Sequence, residues 1–205
     1  MPKTKAPKNK QKSPLDPESE SWRALPWRKF EQHVYRIQKR IFRAEQRGNT
    51  RAVHSLQRLL MKSKAARLLA VRRVTQENQE KKTAGVDGVK SVPPAQRFEL
   101  AERIHPKYWK RAKTLPVRRV YIPKPGKNEM RPLGIPVMKC RSMQALYLLA
   151  LDPVAETLAD PHSYGFRPGR SPADAIEQCF KVLGKQASPQ WILEGDIKGC
   201  FDHAS

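Results

Sequence analysis

Cysteine is scarce. Cys140, Cys179 and Cys200 are the only three, widely spaced and in no Cys-x-x-Cys pair, so neither a disulfide framework nor a zinc site is suggested and a reducing compartment fits. Long apolar runs are missing as well: nothing approaches the roughly 20 residues of a membrane span, and the Lys-rich start lacks the apolar segment of a secretory signal. The chain is therefore expected in the cytoplasm of a bacterium or an organelle, with no membrane association and no secretion. No internal repeat or heptad array is visible. Acidic residues are the third shortage, 19 Asp and Glu against 41 Lys and Arg, which gives a formal charge of +22. A polyanionic partner follows, and nucleic acid is the first candidate. All of the excess lies before residue 151; beyond it acids outnumber bases. Composition alone does not separate an enzyme from a plain binding protein.

What is present begins with a tail, residues 1–20, with five lysines among Pro, Ser and Asn and little to bury; it is expected to be disordered. From Phe30 the pattern turns helical. Val34, Ile37, Ile41 and Ala44 fall on one face, Arg36, Arg40, Arg43 and Arg47 on another, and Gly48 ends the run. A second helix is expected from Asn49 or Thr50 to about Val74, with Val53, Leu56 and Leu60 inward and Arg51, Arg58 and Lys62 outward. Both basic stripes suit phosphate contacts, and both equally suit an ordinary solvated face.

Two glycines and an Asp make Thr83 to Gly88 a structured loop. A short helix fits Gln96 to Ile104. Val117 to Ile122 reads as a strand, and a turn at Pro125, Gly126, Lys127 and Asn128 leads to a returning strand, Met130 to Val137, which Pro132 and Pro136 confine to an edge. Met138 to Leu151 is apolar at helical spacing through Met143, Leu146, Tyr147 and Ala150. Asp152 and Pro153 then look like the N-cap and first residue of a new helix. Ser171, Pro172 and Asp174 predict a capping box opening a helix toward Gly184, and Trp191 to Ile197 a buried strand ending in the carboxylate of Asp196.

A carboxylate at the end of an apolar strand is costly unless it binds something, and a cation is the obvious partner. On the hairpin, Arg118, Arg119, Lys124, Lys127 and Arg131 have only Glu129 as a nearby acid, an arrangement suited to a triphosphate or to a solvated edge strand.

The order of these features carries a resemblance. Arg119 to Lys124 with Arg131 to Pro136 resembles the fingers hairpin of group II intron reverse transcriptases. Ser163 to Ser171 resembles their next block, Gly195 to Asp202 their first palm block, and Thr83 to Gly88 the additional N-terminal block of that family. The resemblance covers roughly residues 55 to 205. It implies an α+β right-hand polymerase fold, truncated: a basic tail over 1–20, a helical N-terminal extension over 21–110, fingers over 111–187 and the start of a palm over 188–205. It implies two Mg²⁺ ions held through Asp196 and the backbone carbonyl of Ile197, and an aromatic gate at Phe201 that excludes a ribose 2′-hydroxyl. Lys124 and Arg131 would meet the incoming triphosphate, with Ile197 and Phe201 beside the nucleotide. Arg36, Arg40, Arg43, Arg47, Arg58, Lys62, Arg118, Arg119, Arg167 and Arg170 would meet template or intron RNA. The implied partners are intron RNA, template, DNA primer and deoxynucleotides. The family's second catalytic motif, Tyr-Ala-Asp-Asp, does not occur in these 205 residues, so the chain by itself is expected to bind RNA rather than polymerise, and a purely RNA-binding splicing module is the alternative.

Overall fold

The α1 helix, Trp27–Gln46, turns Val34, Ile37, Ile41 and Ala44 inward, the face that the apolar spacing predicts. It stops where Gly48 takes the left-handed conformation (φ 64°), which costs no Cβ clash there. Asn49 follows at once as a cap: its Oδ1 accepts from the Ala52 amide at 3.0 Å and opens α2, Thr50–Lys62. Gly48 and Asn49 thus fold the chain into a helical hairpin. In the computed structural model, residues 21–79, 82–111, 115–126 and 128–197 are described. The expected tail over 1–20 and Phe201 lie outside them.

The expected single helix from Thr50 to Val74 is instead broken at Ser63, whose backbone is extended (ψ 129°), and α3, Lys64–Arg72, begins beyond it. The reason lies in burial. In α2 only Val53 and Leu60 are fully buried, whereas α3 buries Ala66, Arg67, Leu68, Ala70 and Val71 around most of its circumference. One straight helix cannot be a surface helix for three turns and a central helix for the next two. A π-helical turn, Arg73–Glu77, closes this segment. The α4 helix, Pro94–Arg103, adds Leu100 and Ala101, and a 3₁₀ turn covers Pro106–Arg111. Trp22, nearly inaccessible, packs against Trp27 and Phe98 and donates its indole N–H to Gln76 Oε1 at 2.9 Å. Arg67, buried among these helices, is held by Glu102 at 3.0 Å and by the Ala101 carbonyl at 2.8 Å.

The Thr83 to Gly88 loop is a structured one. Gly88 has φ 71°, and a Cβ on Gly85 would lie 2.8 Å from the backbone of Val137, so the close approach requires glycine. Arg141 locks the loop in place, donating to the carbonyls of Pro136 at 2.9 Å and Thr83 at 2.5 Å. The strands are β1, Arg118–Pro123, and β2, Met130–Ile135, antiparallel with Val120 opposite Leu133.

Met138–Leu158 forms one helix, α5, with Pro153 inside it; the expected restart at Asp152 does not occur. Proline removes the donor that the Leu149 carbonyl would receive and crowds that oxygen, an arrangement that ordinarily breaks a helix. Here the carbonyl is satisfied from outside: Gln38 Nε2 on α1 donates to it at 2.9 Å, and Gln57 Nε2 on α2 donates to the next carbonyl, Ala150, at 3.1 Å. Met138, Ala145, Leu146 and Ala150 join the helical core, whereas Tyr147, expected inward, is exposed and stacks on Trp109 at 4.7 Å. Among the described residues no helix is long and apolar enough to cross a membrane.

Residues 1–157 and 158–205 form two compact units. In the second, Ser171 and Asp174 make the expected capping box and open α6, Pro172–Leu183, with Gly184 at its C-cap. The strand expected over Trp191 to Ile197 is absent: the segment forms no ladder, and all seven residues are exposed. A strand is held by the donors and acceptors of its neighbours, and among the described residues β1 and β2 form a two-stranded sheet by themselves.

Two outcomes are expected in thermal melts followed by circular dichroism. Gln38→Leu leaves the Leu149 carbonyl without its donor and should destabilise the protein by about 1–3 kcal/mol, and Pro153→Ala should recover much of that loss by restoring a helical N–H. Additivity of the two substitutions would refute this coupling. Burial, opposed by the nearby Arg73 cation, raises the Asp152 carboxyl above its ordinary value. The folded state then holds that proton more tightly than the unfolded chain, so its contribution to stability declines as pH rises through the interval between the two values. Asp152→Asn should therefore raise the melting temperature at pH 7, and the gain should shrink in acid.

Candidate nucleic-acid interface

Because α1 buries one face completely, the rest of its circumference is left toward solvent, and Arg36, Arg40 and Arg43, with Arg47 at its C-cap, are all exposed there. On α2, Arg58 and Lys62 are exposed in the same way. The Gly48–Asn49 turn brings part of the two sets together. Arg40 and Lys62 line one groove of about 300 Å³ between α1 and α2, with His33, Ile37, Leu59 and Ser63. Two cations over a partly apolar floor suit a phosphate backbone crossing the helical hairpin. No carboxylate lines this groove.

The hairpin distributes its cations differently from the expectation. Cross-strand neighbours share a face, so the pairs Arg118 with Ile135 and Ile122 with Arg131 put both arginines on one side, and Arg119, opposite Gly134, lies on the other. Arg118, Arg119 and Arg131 are exposed. Lys124 is engaged: its Nζ meets Glu129 Oε2 at 2.6 Å and its amide donates to the Glu129 carbonyl at 2.9 Å, closing the turn. The Lys124 ammonium beside it holds the Glu129 carboxyl below its ordinary value. The Lys124 ammonium thus already has one anionic partner at the hairpin turn. Lys127 lies outside the described residues.

In the second unit the loop before α6 is organised by Arg167, whose guanidinium donates to the carbonyls of Asp160 at 2.8 Å and Ser163 at 3.1 Å. This bracing role was not anticipated from sequence. Phe166 (φ 59°, unusual for a bulky residue) turns the chain just before Arg167, Gly169 (φ 71°) turns it just before Arg170, and the Phe166 ring is fully exposed. Asp196 is also exposed, its Oδ1 accepting from the Ile197 amide at 2.8 Å. It stands on an open segment and not at the end of a buried strand. Among the described residues no three His, Cys, Asp or Glu side chains converge as a metal site, and the Asp196 carboxylate would supply one ligand of a two-ion centre.

Comparison with known proteins decides the family. A family model described as the N-terminal domain of reverse transcriptase matches residues 22–104, and one described as reverse transcriptase (RNA-dependent DNA polymerase) matches residues 122–205. The group II intron-encoded protein LtrA of Lactococcus lactis is 41% identical over 88 residues, 43% of this chain and 14% of LtrA. Maturase-like protein 1 of Euglena gracilis is 34% identical over 141 residues, 69% of this chain and 30% of that protein, and protein YkfC of Escherichia coli is 35% identical over 143 residues, 63% and 35% respectively. This chain belongs to the group II intron reverse transcriptase and maturase family. It spans between a seventh and about a third of the length of these relatives.

For a reverse transcriptase chain, nucleic acid is the general partner and a divalent metal the general cofactor. The family's N-terminal domain coincides with the helices that carry the basic faces, and the polymerase match with the segment from the hairpin onward. Three site-shaping residues escaped the sequence reading: Gln38 and Gln57, which hold α5 against the basic helical hairpin, and Arg141, which fixes the glycine loop. Only the Pro153 inside an apolar helical run signalled that donors from elsewhere were needed.

The hairpin yields a direct test. Glu129→Gln removes the anion that occupies Lys124, so single-stranded RNA should bind more tightly and the dependence of log K on log salt should steepen by roughly 0.7, one added phosphate contact on a single strand. An unchanged slope in fluorescence anisotropy titrations would show that Lys124 does not face the nucleic acid.

Proposed function

We propose that this chain is the N-terminal extension and fingers portion of an RNA-directed DNA polymerase encoded by a group II intron, binding intron RNA and template through its first unit and serving DNA primer and deoxynucleotide in the full-length protein. The observation that carries the reading is the succession of the two reverse transcriptase matches along one chain, 22–104 then 122–205, with solvent-facing arginines on the helices of the first. Arg36, Arg40, Arg43, Arg47, Arg58 and Lys62 act on phosphate. Arg118, Arg119 and Arg131 meet template or triphosphate beside the hairpin, with Arg170 at the loop that Arg167 braces. Magnesium is the proposed ion and Asp196 its ligand from this chain, with Ile197 adjacent and Phe201 as the sugar gate. The interior of a bacterium or organelle is the proposed location.

A second reading, an RNA-binding module, is supported by one observation: the broad cationic surface that the described helices of the first unit present.

Replacing Arg36, Arg40, Arg43 and Arg47 by Gln should weaken RNA binding and flatten the salt dependence by roughly 0.7 to 0.9 per lost phosphate contact. If slope and affinity stay as they were, the stripe is a solvated face. In full-length enzyme, Asp196→Asn should abolish primer extension on an RNA template, whereas Phe201→Ala should keep deoxynucleotide incorporation and admit ribonucleotides. Extension by the Asp196→Asn enzyme would remove Asp196 from the catalytic centre, and an unaltered sugar preference would return Phe201 to a packing role.

A further inference from the structure

One cleft of the first unit lies away from the basic stripe, at the base of the hairpin. It has a volume of about 690 Å³ and is bounded by the π-helical turn, the end of β2 and the outer face of α5. Val74, Leu133, Pro136 and Leu148 form its apolar part, and Glu77, Asn78 and Arg141 line the rest, the Glu77 carboxylate being paired with Arg72 at 2.8 Å. Its mouth carries the guanidinium of Arg73 and the amide of Gln144, both exposed. One wall is fixed rather than adaptable, because Arg141 ties the backbone at Pro136 to that at Thr83.

These features match the chemistry of one ligand class. A nucleobase offers flat apolar faces and a polar edge, and it stays attached to a phosphate. A cleft with apolar walls takes the faces, a side-chain amide reaches the edge and a cation at the rim takes the phosphate. The volume lies in the range of small-ligand sites and exceeds what a single base requires. The cation is also in tension with its surroundings: Arg73 is the cation that offsets the half-buried Asp152 carboxyl, with Glu156 adding a like charge beside it, so phosphate at Arg73 competes with Asp152.

We propose that this cleft is a binding site for one unpaired nucleotide of a bound RNA, its base inserted between Val74, Leu133, Pro136 and Leu148 and its phosphate on Arg73. The proposal rests on the RNA-binding reading above and adds a base-dependent contact that the arginine stripe lacks. Phosphate contacts along α1 do not register whether a base is present; this cleft does.

The test uses the 205-residue chain and a fluorescein-labelled 12-nucleotide oligouridine, in its intact form and with three central abasic sites. Wild type should prefer the intact RNA roughly tenfold, the scale of one stacked base. Leu148→Trp, which fills the cleft from an exposed position, and Gln144→Ala should each reduce that preference while leaving the salt slope unchanged. Arg73→Gln should lower affinity and flatten the slope by roughly 0.7. The stripe variant with Arg36, Arg40, Arg43 and Arg47 replaced by Gln should weaken both RNAs equally and keep the preference. Circular dichroism melts establish that each variant is folded, and Leu148→Phe serves if Leu148→Trp is not. Equal affinity of wild type for both RNAs, or a preference that survives both cleft substitutions, overturns the cleft and leaves the stripe reading intact. Loss of RNA binding by neither the stripe nor the cleft variants overturns both.

Discussion

The hydrogen bonds from Gln38 and Gln57 to the carbonyls at Leu149 and Ala150 tie the first unit together. They let α5 run unbroken through a proline, and they do so from the two helices that carry the basic faces. A bare carbonyl inside a core is among the more expensive defects a protein can hold, so α1 and α2 are fixed in place by a requirement of α5. The outward stripe is thereby oriented as well. With Val34, Ile37, Ile41 and Ala44 buried and Gln38 engaged, the rotation of α1 leaves Arg36, Arg40, Arg43 and Arg47 only the solvent side.

The same unit separates its cations by the work they do. Arg67 is inside and neutralised by Glu102; Arg72 bridges Glu31 and Glu77 while lying over the Trp27 ring; Arg141 holds two backbone carbonyls. These three hold the fold. The arginines of the α1 stripe are neither buried nor ion-paired with Asp or Glu among the described residues, and a desolvated phosphate can therefore reach them without displacing an internal anion. The scarcity of acids is thus felt locally as well: Glu102, Glu31 and Glu77 serve structural arginines and Glu129 the hairpin turn, and no ion pair among the described residues reaches the stripe.

How much of this was legible follows from which interactions are local. The periodicity of α1, the Gly48 stop, the capping box at Ser171 and the two-strand hairpin depend on residues a few positions apart, and all were readable. The break at Ser63 was not, because serine is tolerated in a helix and what interrupts it is a change from surface to central packing. Pro153 misled for a related reason: the donors that tolerate it lie 111 and 93 positions away. Trp191 to Ile197 has the composition of a buried strand, yet strand formation needs partners, and composition does not supply them. At the candidate interface the exposure of the arginine stripe was readable from the helical period, whereas the bracing role of Arg167 and the pairing of Lys124 depend on loop geometry that residue type does not encode.

Arg73 shows how structure and recognition meet in one side chain. It sits where a π-helical turn replaces the regular repeat, at the junction between the buried α3 and the glycine loop that follows. A π turn inserts an extra residue per hydrogen-bonded ring and so rotates the chain away from the regular helical period. Val74, three residues on from buried Val71, is buried as well, whereas Arg73 is exposed beside the Asp152 carboxyl that burial pushes upward. A guanidinium in that position stabilises an otherwise poorly placed anion, and it also stands at the mouth of the cleft beneath the hairpin. A phosphate drawn to Arg73 would weaken its hold on Asp152, which then keeps its proton more readily. Occupation of the cleft and protonation of Asp152 are therefore coupled in sign: each favours the other, so nucleotide affinity at this cleft should rise as pH falls toward the carboxylate range.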